Sequence, residues 1–508
     1  MHKLIILLVL ILEFEIIAEP DEKEEEQQET AATTEPSMEA KETFTKCYNE
    51  LGCVAANEGW FHDKFRPINL KPLDRQVIQT EFVLLRRNGT RQVNAIFGQV
   101  VTTNRESIES AGYVKGKFLF VLVHDFTSSG YSGWIKHISR VLKARTKGCN
   151  ILSVDWHAGS GPPYDQAIAN ARVVALEIAS MLNFLKANHE LTFQQVHLIG
   201  HGVGAHIAGY VGKSLKPHKI TGLDPSGRRF DGMPSPVRLD HTDAEYVEVL
   251  HTDAMDYTSQ GAKDILGHTD FFINNAEAQP GCPVDQTSYD LLALTRAMLN
   301  QGEVMPGCSH KRAYKYYIES LEIEECTFLG IKCQSYADFR QGKCTTCGHN
   351  CRTFGLVSYS EPNNGSYFLQ TDSTKPYCLF QYRVNVSIKG TKSTFFGSFE
   401  FFLIDKFHFI TTSSMMEPRE FLAGESNSFV FYSGVPEMAR IINAKIGWKE
   451  KPNAFCFVHC KQAIDVERVT IQSINSNTKY SQQVSLCPKD GMTEIQNGDF
   501  QEFEVCKK

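Results

Sequence analysis

The sequence predicts an α/β domain with a mostly parallel central sheet, followed by an all-β sandwich. Three observations carry this expectation. Between about Cys47 and Tyr317, the short apolar runs "KFLFVLVHDF", "NILSVDW", "VHLIG" and "EYVEVLH" alternate with longer helical patterns, the signature of parallel strands joined by crossover helices. After Cys351 the pattern changes to short strand-like runs with polar turns. At 508 residues, 42% of them hydrophobic and 22% charged, the chain is too long for one typical core.

Taken in order, "MHKLIILLVLILEFEIIA" carries one lysine and an unbroken apolar run from Leu4 to Leu12. That run is too short to span a bilayer and suits a signal peptide over residues 1–18. Glu13 and Glu15 argue against a membrane anchor, and no later stretch reads as transmembrane. Residues 19–45 are acidic, with no aromatic residue from Glu19 to Glu42, and read as a disordered segment, a solvated spacer ahead of the alternatives of a propeptide or an interaction tail. The α/β domain is placed at 46–365 and the sandwich at 366–508, with a linker around 360–375. "YDQAIANARVVALEIASMLNFLKAN" repeats its apolar residues at helical spacing and reads as a crossover helix. In "YRVNVSIKG", Tyr382, Val384, Val386 and Ile388 alternate with polar neighbours, as in a half-buried antiparallel strand.

Fifteen cysteines behind a secretion signal point to disulfides and an extracellular location. Their odd number leaves at least one without an intramolecular partner, so an intermolecular disulfide stays open. Asn88, Asn364 and Asn385 head glycosylation triplets. The formal net charge of −7, without a continuous basic run, excludes nucleic acid as an expected partner.

The stretch "LIGHGVGAHIAGY", Leu198 to Tyr210, reads as a buried strand turning sharply into a helix. Such a turn usually displays a serine in the pattern G-x-S-x-G; here that position is Gly202. Glycine adopts the strained turn without a steric penalty, so the turn is expected to persist without its hydroxyl. An acid and a histidine should follow later in the chain. "ITGLDPSG" offers Asp224 and "CSHKRAYKYY" offers His310. Ser226 and Ser153 are other hydroxyls, but neither lies on the turn.

These pieces, together with "KCYNELGC", "VDWHAGSG", "VRLDHTDAEYVEVLHTD" and "LGHTDFFIN", resemble the pancreatic lipase family from about Lys46 onward. The resemblance implies a secreted α/β-hydrolase domain with a C-terminal lipid-associated sandwich of PLAT type. Gly202 falls where the family has its nucleophilic serine, while Asp224 and His310 fall at the acid and base positions. The oxyanion-hole positions are Val203 and Phe126, and Asp125 replaces the family's glycine between His124 and Phe126. A carboxylate there opposes a developing oxyanion unless it is turned away or paired.

The resemblance further implies a structural calcium ion held by the backbone carbonyls of Ser235 and Arg238 and the carboxylates of Asp240 and Asp243, oxygen ligands suited to a hard cation. It implies the disulfides Cys47–Cys53, Cys282–Cys308, Cys333–Cys344 and Cys347–Cys351. Cys149, Cys326 and Cys378 have no family partner, and Cys456, Cys460, Cys487 and Cys506 stay unassigned. Cys282 and Cys308 would close a lid loop with an apolar stripe of Leu291, Leu292, Leu294, Met298 and Leu299. The expected function is a secreted, catalytically degenerate lipase homologue that binds lipid or a lipid interface, with a small protein cofactor at the sandwich as a further partner class. The alternatives are an active carboxylic-ester hydrolase (triacylglycerol lipase or phospholipase A1) and a storage or structural protein of yolk type.

Overall fold

The computed structural model describes residues 43–87, 96–146, 148–254, 259–282, 307–357, 364–391, 393–407, 410–412, 418–434, 441–451, 463–475 and 483–507. The signal segment, the acidic segment up to residue 42, the lid stripe, Asn88, Cys456 and Cys460 lie outside them. The first described elements form a hairpin, β1 (Phe44–Cys47) and β2 (Cys53–Ala56).

The first sheet contains β3 (Glu81–Arg87), β4 (Ile96–Val101), β5 (Leu119–Val123), β6 (Asn150–Asp155), β7 (Val196–His201), β8 (Lys219–Leu223), β9 (Tyr246–His251), β10 (Thr269–Ile273), β11 (Leu329–Lys332), β12 (Cys351–Thr353) and β13 (Gly365–Leu369). Their order is β12-β11-β13-β10-β9-β8-β7-β5-β6-β3-β4. From β13 through β6 every neighbouring pair is parallel, as the alternating sequence pattern predicts. β5, β7, β8, β9 and β10 are buried along their whole length, which is why they read as continuous apolar runs rather than alternating ones.

Helices α1 (Gly133–Arg145), α2 (Tyr164–Asn188), α3 (Val203–Leu215) and α4 (Cys308–Glu322) cover the sheet. The predicted crossover helix is α2, matched end to end. It is long and apolar enough to cross a membrane, yet Ile168, Val173, Val174, Ile178, Met181 and Leu182 are buried against β-strand residues of the same core.

β6 leaves β5 on one side of the sheet and β7 returns on the other, so β5 marks the point where the winding reverses. The crevice beyond the C-terminal strand ends at such a point is where open α/β sheets bind ligands.

The second sheet is antiparallel, built from β14 (Phe380–Ile388), β15 (Thr394–Asp405), β16 (Ile410–Thr412), β17 (Arg419–Leu422), β18 (Ser426–Ser433), β19 (Ile441–Glu450), β20 (Ile464–Ser473), β21 (Val484–Pro488), β22 (Glu494–Ile495) and β23 (Phe500–Val505). β14 and β15 alternate buried and half-buried residues. Their inward side chains join Phe421, Phe429, Phe431 and Trp448 in one aromatic core, giving the expected sandwich. Asn385 lies on the outward face, where its side chain accepts a hydrogen bond from Ser426 Oγ at 2.9 Å, and Asn364 is exposed.

The boundary expected at residue 365 needs correction. Gly365–Leu369 inserts as β13 between β10 and β11 of the first sheet, and the sandwich starts at Phe380. Cys326 and Cys378, which the sequence left without partners, form a disulfide at this junction. Asn475 also crosses it, donating to the carbonyls of Thr327 and Leu379. All four expected disulfides are present, Cys487 pairs with Cys506, and Cys149 is a buried free thiol.

Candidate active site and its remnant triad

β5 and β7 are adjacent and parallel, with Val123 beside Gly200. Continuing that register by two residues sets Asp125, just past the end of β5, beside Gly202, just past the end of β7. Gly202 has φ 54° and ψ −118°, a conformation that strains any residue bearing a Cβ. Its N–H donates to Leu223 O at 3.1 Å, and α3 begins at the next residue. The sharp turn expected from the sequence is therefore intact. Close packing around it also demands small residues, since a Cβ on Gly204 would lie 2.4 Å from Val123 O.

The space above Gly202 is filled by Asp125. A Cβ built on Gly202 would lie 2.1 Å from Asp125 Oδ1 and 2.2 Å from its Cγ. Oδ1 accepts the backbone N–H of Val203 at 2.7 Å, the first N–H of α3, where the helix end favours a negative charge. Oδ2 accepts His310 Nε2–H at 3.0 Å. The sequence left open whether this carboxylate opposes an oxyanion or is turned away or paired; it is paired with His310, and it also occupies the donor that an oxyanion would use.

His310 lies in the first turn of α4, and its Nδ1–H donates to Asp224 Oδ2 at 2.6 Å. Asp224 follows β8 with φ 44° and is completely buried. Its Oδ1 accepts the N–H groups of Thr252 and Asp253 at 2.7 and 3.1 Å. The predicted acid and base thus meet, and the imidazole bridges two carboxylates. Burial alone would disfavour its charge, but the hydrogen bonds and charges of Asp125 and Asp224 win and hold the His310 pKa up at about 10. For Asp125, burial pushes upward, yet the bonds from His310 and Val203 and the nearby histidine charge bring it down to about 2. The three side chains form a closed carboxylate–imidazolium–carboxylate array.

Three residues that the sequence did not single out as site residues hold this array. His124 is buried and stacks on Trp156; its Nε2 accepts the Trp156 backbone N–H at 3.0 Å, which places a proton on Nδ1 for the carbonyl of Asp125 at 2.8 Å. His201 packs against His310, with ring centres 4.2 Å apart, and hydrogen-bonds its carbonyl at 3.1 Å. Burial and the charge on His310 bring the His201 pKa down to about 4, so it stays neutral. The only forewarning was that "VHDF" and "IGH" end neighbouring strands. Phe126 is half-buried, edge-on to Tyr164 at 5.2 Å.

The array cannot run acyl transfer as it stands. Both imidazole nitrogens face carboxylates, so neither is open to take a proton from a hydroxyl. Ser153 donates its hydroxyl to Gly130 O at 2.7 Å, and Ser226 lies buried in a bridge to Gly261.

The expected calcium ligands lie beside α3. Ser235 opens a 3-10 turn, and its carbonyl accepts the Arg238 N–H at 3.4 Å. Asp240 Oδ1 accepts from the Thr242 N–H and hydroxyl at 3.0 and 2.8 Å. Arg238 O and both carboxylate oxygens of Asp243 meet at one point, the ammonium of Lys213, at 2.9, 2.9 and 2.7 Å. With that cation among them, these donors do not fit a calcium ion, which needs six or more oxygens turned toward it.

Comparison with known proteins agrees with this geometry. Residues 45–377 match the family model described as Lipase. The chain is 33% identical over 369 residues to a mouse protein named inactive pancreatic lipase-related protein 1, covering 69% of this chain and 76% of that one. The human protein of that name is 31% identical over 360 residues, covering 68% and 75%. Mouse pancreatic triacylglycerol lipase is 31% identical over 359 residues, with 68% and 75% covered.

Proposed function

We infer, because the chain belongs to the lipase family, that it is a lipase-like protein without lipase activity, whose scaffold binds lipid or a lipid interface instead of hydrolysing it. One observation carries the reading: the Asp125 carboxylate lies over Gly202, bonded to both Val203 and His310. Two requirements of ester hydrolysis are lost together, the nucleophilic oxygen and a hole able to accept a second negative charge. Loss of a triad serine alone removes about a million-fold of rate in a comparable enzyme. The names of the relatives point the same way, since the mouse and human proteins cited above are called inactive. Six described disulfides support an extracellular location, and glycans on Asn364 and Asn385 suit their positions on the outside of the fold.

The test uses the purified full chain on tributyrin, a chromogenic short-chain ester and phosphatidylcholine vesicles. The expected result is no turnover above buffer, with retained cosedimentation on lipid droplets. Turnover abolished by His310→Ala would establish the alternative, an active ester hydrolase. Absence of any droplet or vesicle binding would favour the storage reading over the lipid binder.

A further inference from the structure

We propose that the Lys213 ammonium permanently fills the place that the Ser235–Asp243 loop would otherwise offer to a calcium ion, so that this chain folds without the metal. The placement begins with α3. Its N-terminus is fixed at the Gly202 turn, and its C-terminal half lies directly on the loop. A Cβ on Gly212 would come 2.3 Å from Asp243 O, and one on Gly209 3.0 Å from Asp243 Oδ2. Glycine at both positions lets the helix axis approach until the next side chain, Lys213, enters the loop.

There the ammonium finds as many acceptors as it has protons: Arg238 O and the two oxygens of Asp243. Asp243 is almost wholly buried, and Lys213 is about a quarter exposed. A buried carboxylate needs a partner charge, and a lysine covalently attached to the fold supplies one at every calcium concentration. The rest of the loop is closed around this pair. Asp243 Oδ2 also accepts the Asp240 N–H at 2.9 Å, and Lys216 donates to Thr242 O. The Arg238 guanidinium, held by the carbonyls of Met233 and Leu239, lies 3.8 Å from Asp240 Oδ2. A divalent ion bound to Asp243 would sit against the ammonium and be repelled by it.

The experiment is a thermal unfolding scan of the full chain in EDTA and in calcium, with calcium binding measured by equilibrium dialysis. The wild type is expected to unfold at one temperature in both buffers and to bind no calcium in this loop. Lys213→Met removes the charge but keeps the length of the chain. It should unfold earlier in EDTA, recover in calcium and bind one ion. A wild type whose Tm falls in EDTA and rises with calcium overturns the proposal. A folded Lys213→Met protein that ignores calcium overturns it as well. Lys213→Gln replaces the methionine variant if that does not fold, and if neither folds the wild-type comparison decides alone.

Discussion

Restoring the missing hydroxyl should require two substitutions, and the structure sets the size of the coupling. In Gly202→Ser, the new Cβ meets Asp125 Oδ1 at 2.1 Å and Cγ at 2.2 Å. Forcing atoms into a filled site costs about 1–3 kcal/mol. A side chain at φ 54°, ψ −118° adds about 1–3 kcal/mol of backbone strain. The single variant should therefore lose roughly 2–6 kcal/mol. Once Asp125→Gly has cleared the space, only the strain remains, so the cycle should show a favourable coupling of about 1–3 kcal/mol. Urea denaturation of the wild type, both single variants and the double variant reads it. Trp60, Trp134 and Trp156 lie in the first domain and only Trp448 in the second, so tryptophan fluorescence follows mainly the domain that carries the substitutions. Ester turnover supplies the second readout: neither single variant should hydrolyse a chromogenic ester, and the double variant should. A coupling of zero, or a Gly202→Ser protein as active as the double variant, would refute the claim that Asp125 occupies the nucleophile's space.

Other outcomes follow from the same charges. Since the His310 pKa is raised from 6.5 to about 10, its stabilising contribution is complete below 6.5 and fades as pH rises through 10. The Asp125 pKa is lowered from 3.8 to about 2, so its contribution is present above 3.8 and fades as pH falls through 2. Ring C–H resonances in an NMR titration check the first directly; a His310 that titrates near 6.5 would contradict the array. Asp125→Asn keeps the shape but removes one carboxylate. It should move the His310 midpoint down toward 6.5 and flatten the alkaline loss of stability. On the central strands β8 and β9 of the first sheet, Lys219 and Glu248 are buried 3.0 Å apart. Glu248→Gln should cost about 3–5 kcal/mol by leaving the ammonium, which still donates to Gly355 O and Val357 O, without its counter-charge, and Lys219→Met in the same chain should recover most of it; denaturation midpoints measure both. Removing the Cys326–Cys378 disulfide, which closes a span of 52 residues, should cost about 4 kcal/mol from the entropy of that loop, and calorimetry of the double serine variant checks this.

What was legible in the sequence was what local pattern encodes. Buried parallel strands announce themselves as apolar runs, α2 by its spacing, and the turn at Gly202 by its small neighbours. Asp224 and His310 were offered only as candidates by their order after the turn, and the resemblance assigned their roles. The destination of the Asp125 side chain was not legible, because it depends on β5 and β7 being neighbours although 72 residues (124–195) lie between Val123 and Val196. Lys213 was invisible for a similar reason: a lysine in the last turn of a helix reads as a solvated charge until the loop packed on it is known. Gly365–Leu369 looked like linker because its strand partners, β10 and β11, precede it in the chain by dozens of residues.

The contact between Asp125 and the space over Gly202 also bears on how this chain can change. A reversion to serine at 202 arrives first in a site still filled by carboxylate, where it is both unstable and silent. A reversion to glycine at 125 arrives first in a protein that still lacks an attacking oxygen and has lost the ion pair of His310. Neither first step is expected to confer turnover and each is expected to weaken the fold, which would leave selection no single-residue slope to climb back. The pair acts as a ratchet in sequence space, and the scaffold is left free to drift toward whatever it binds.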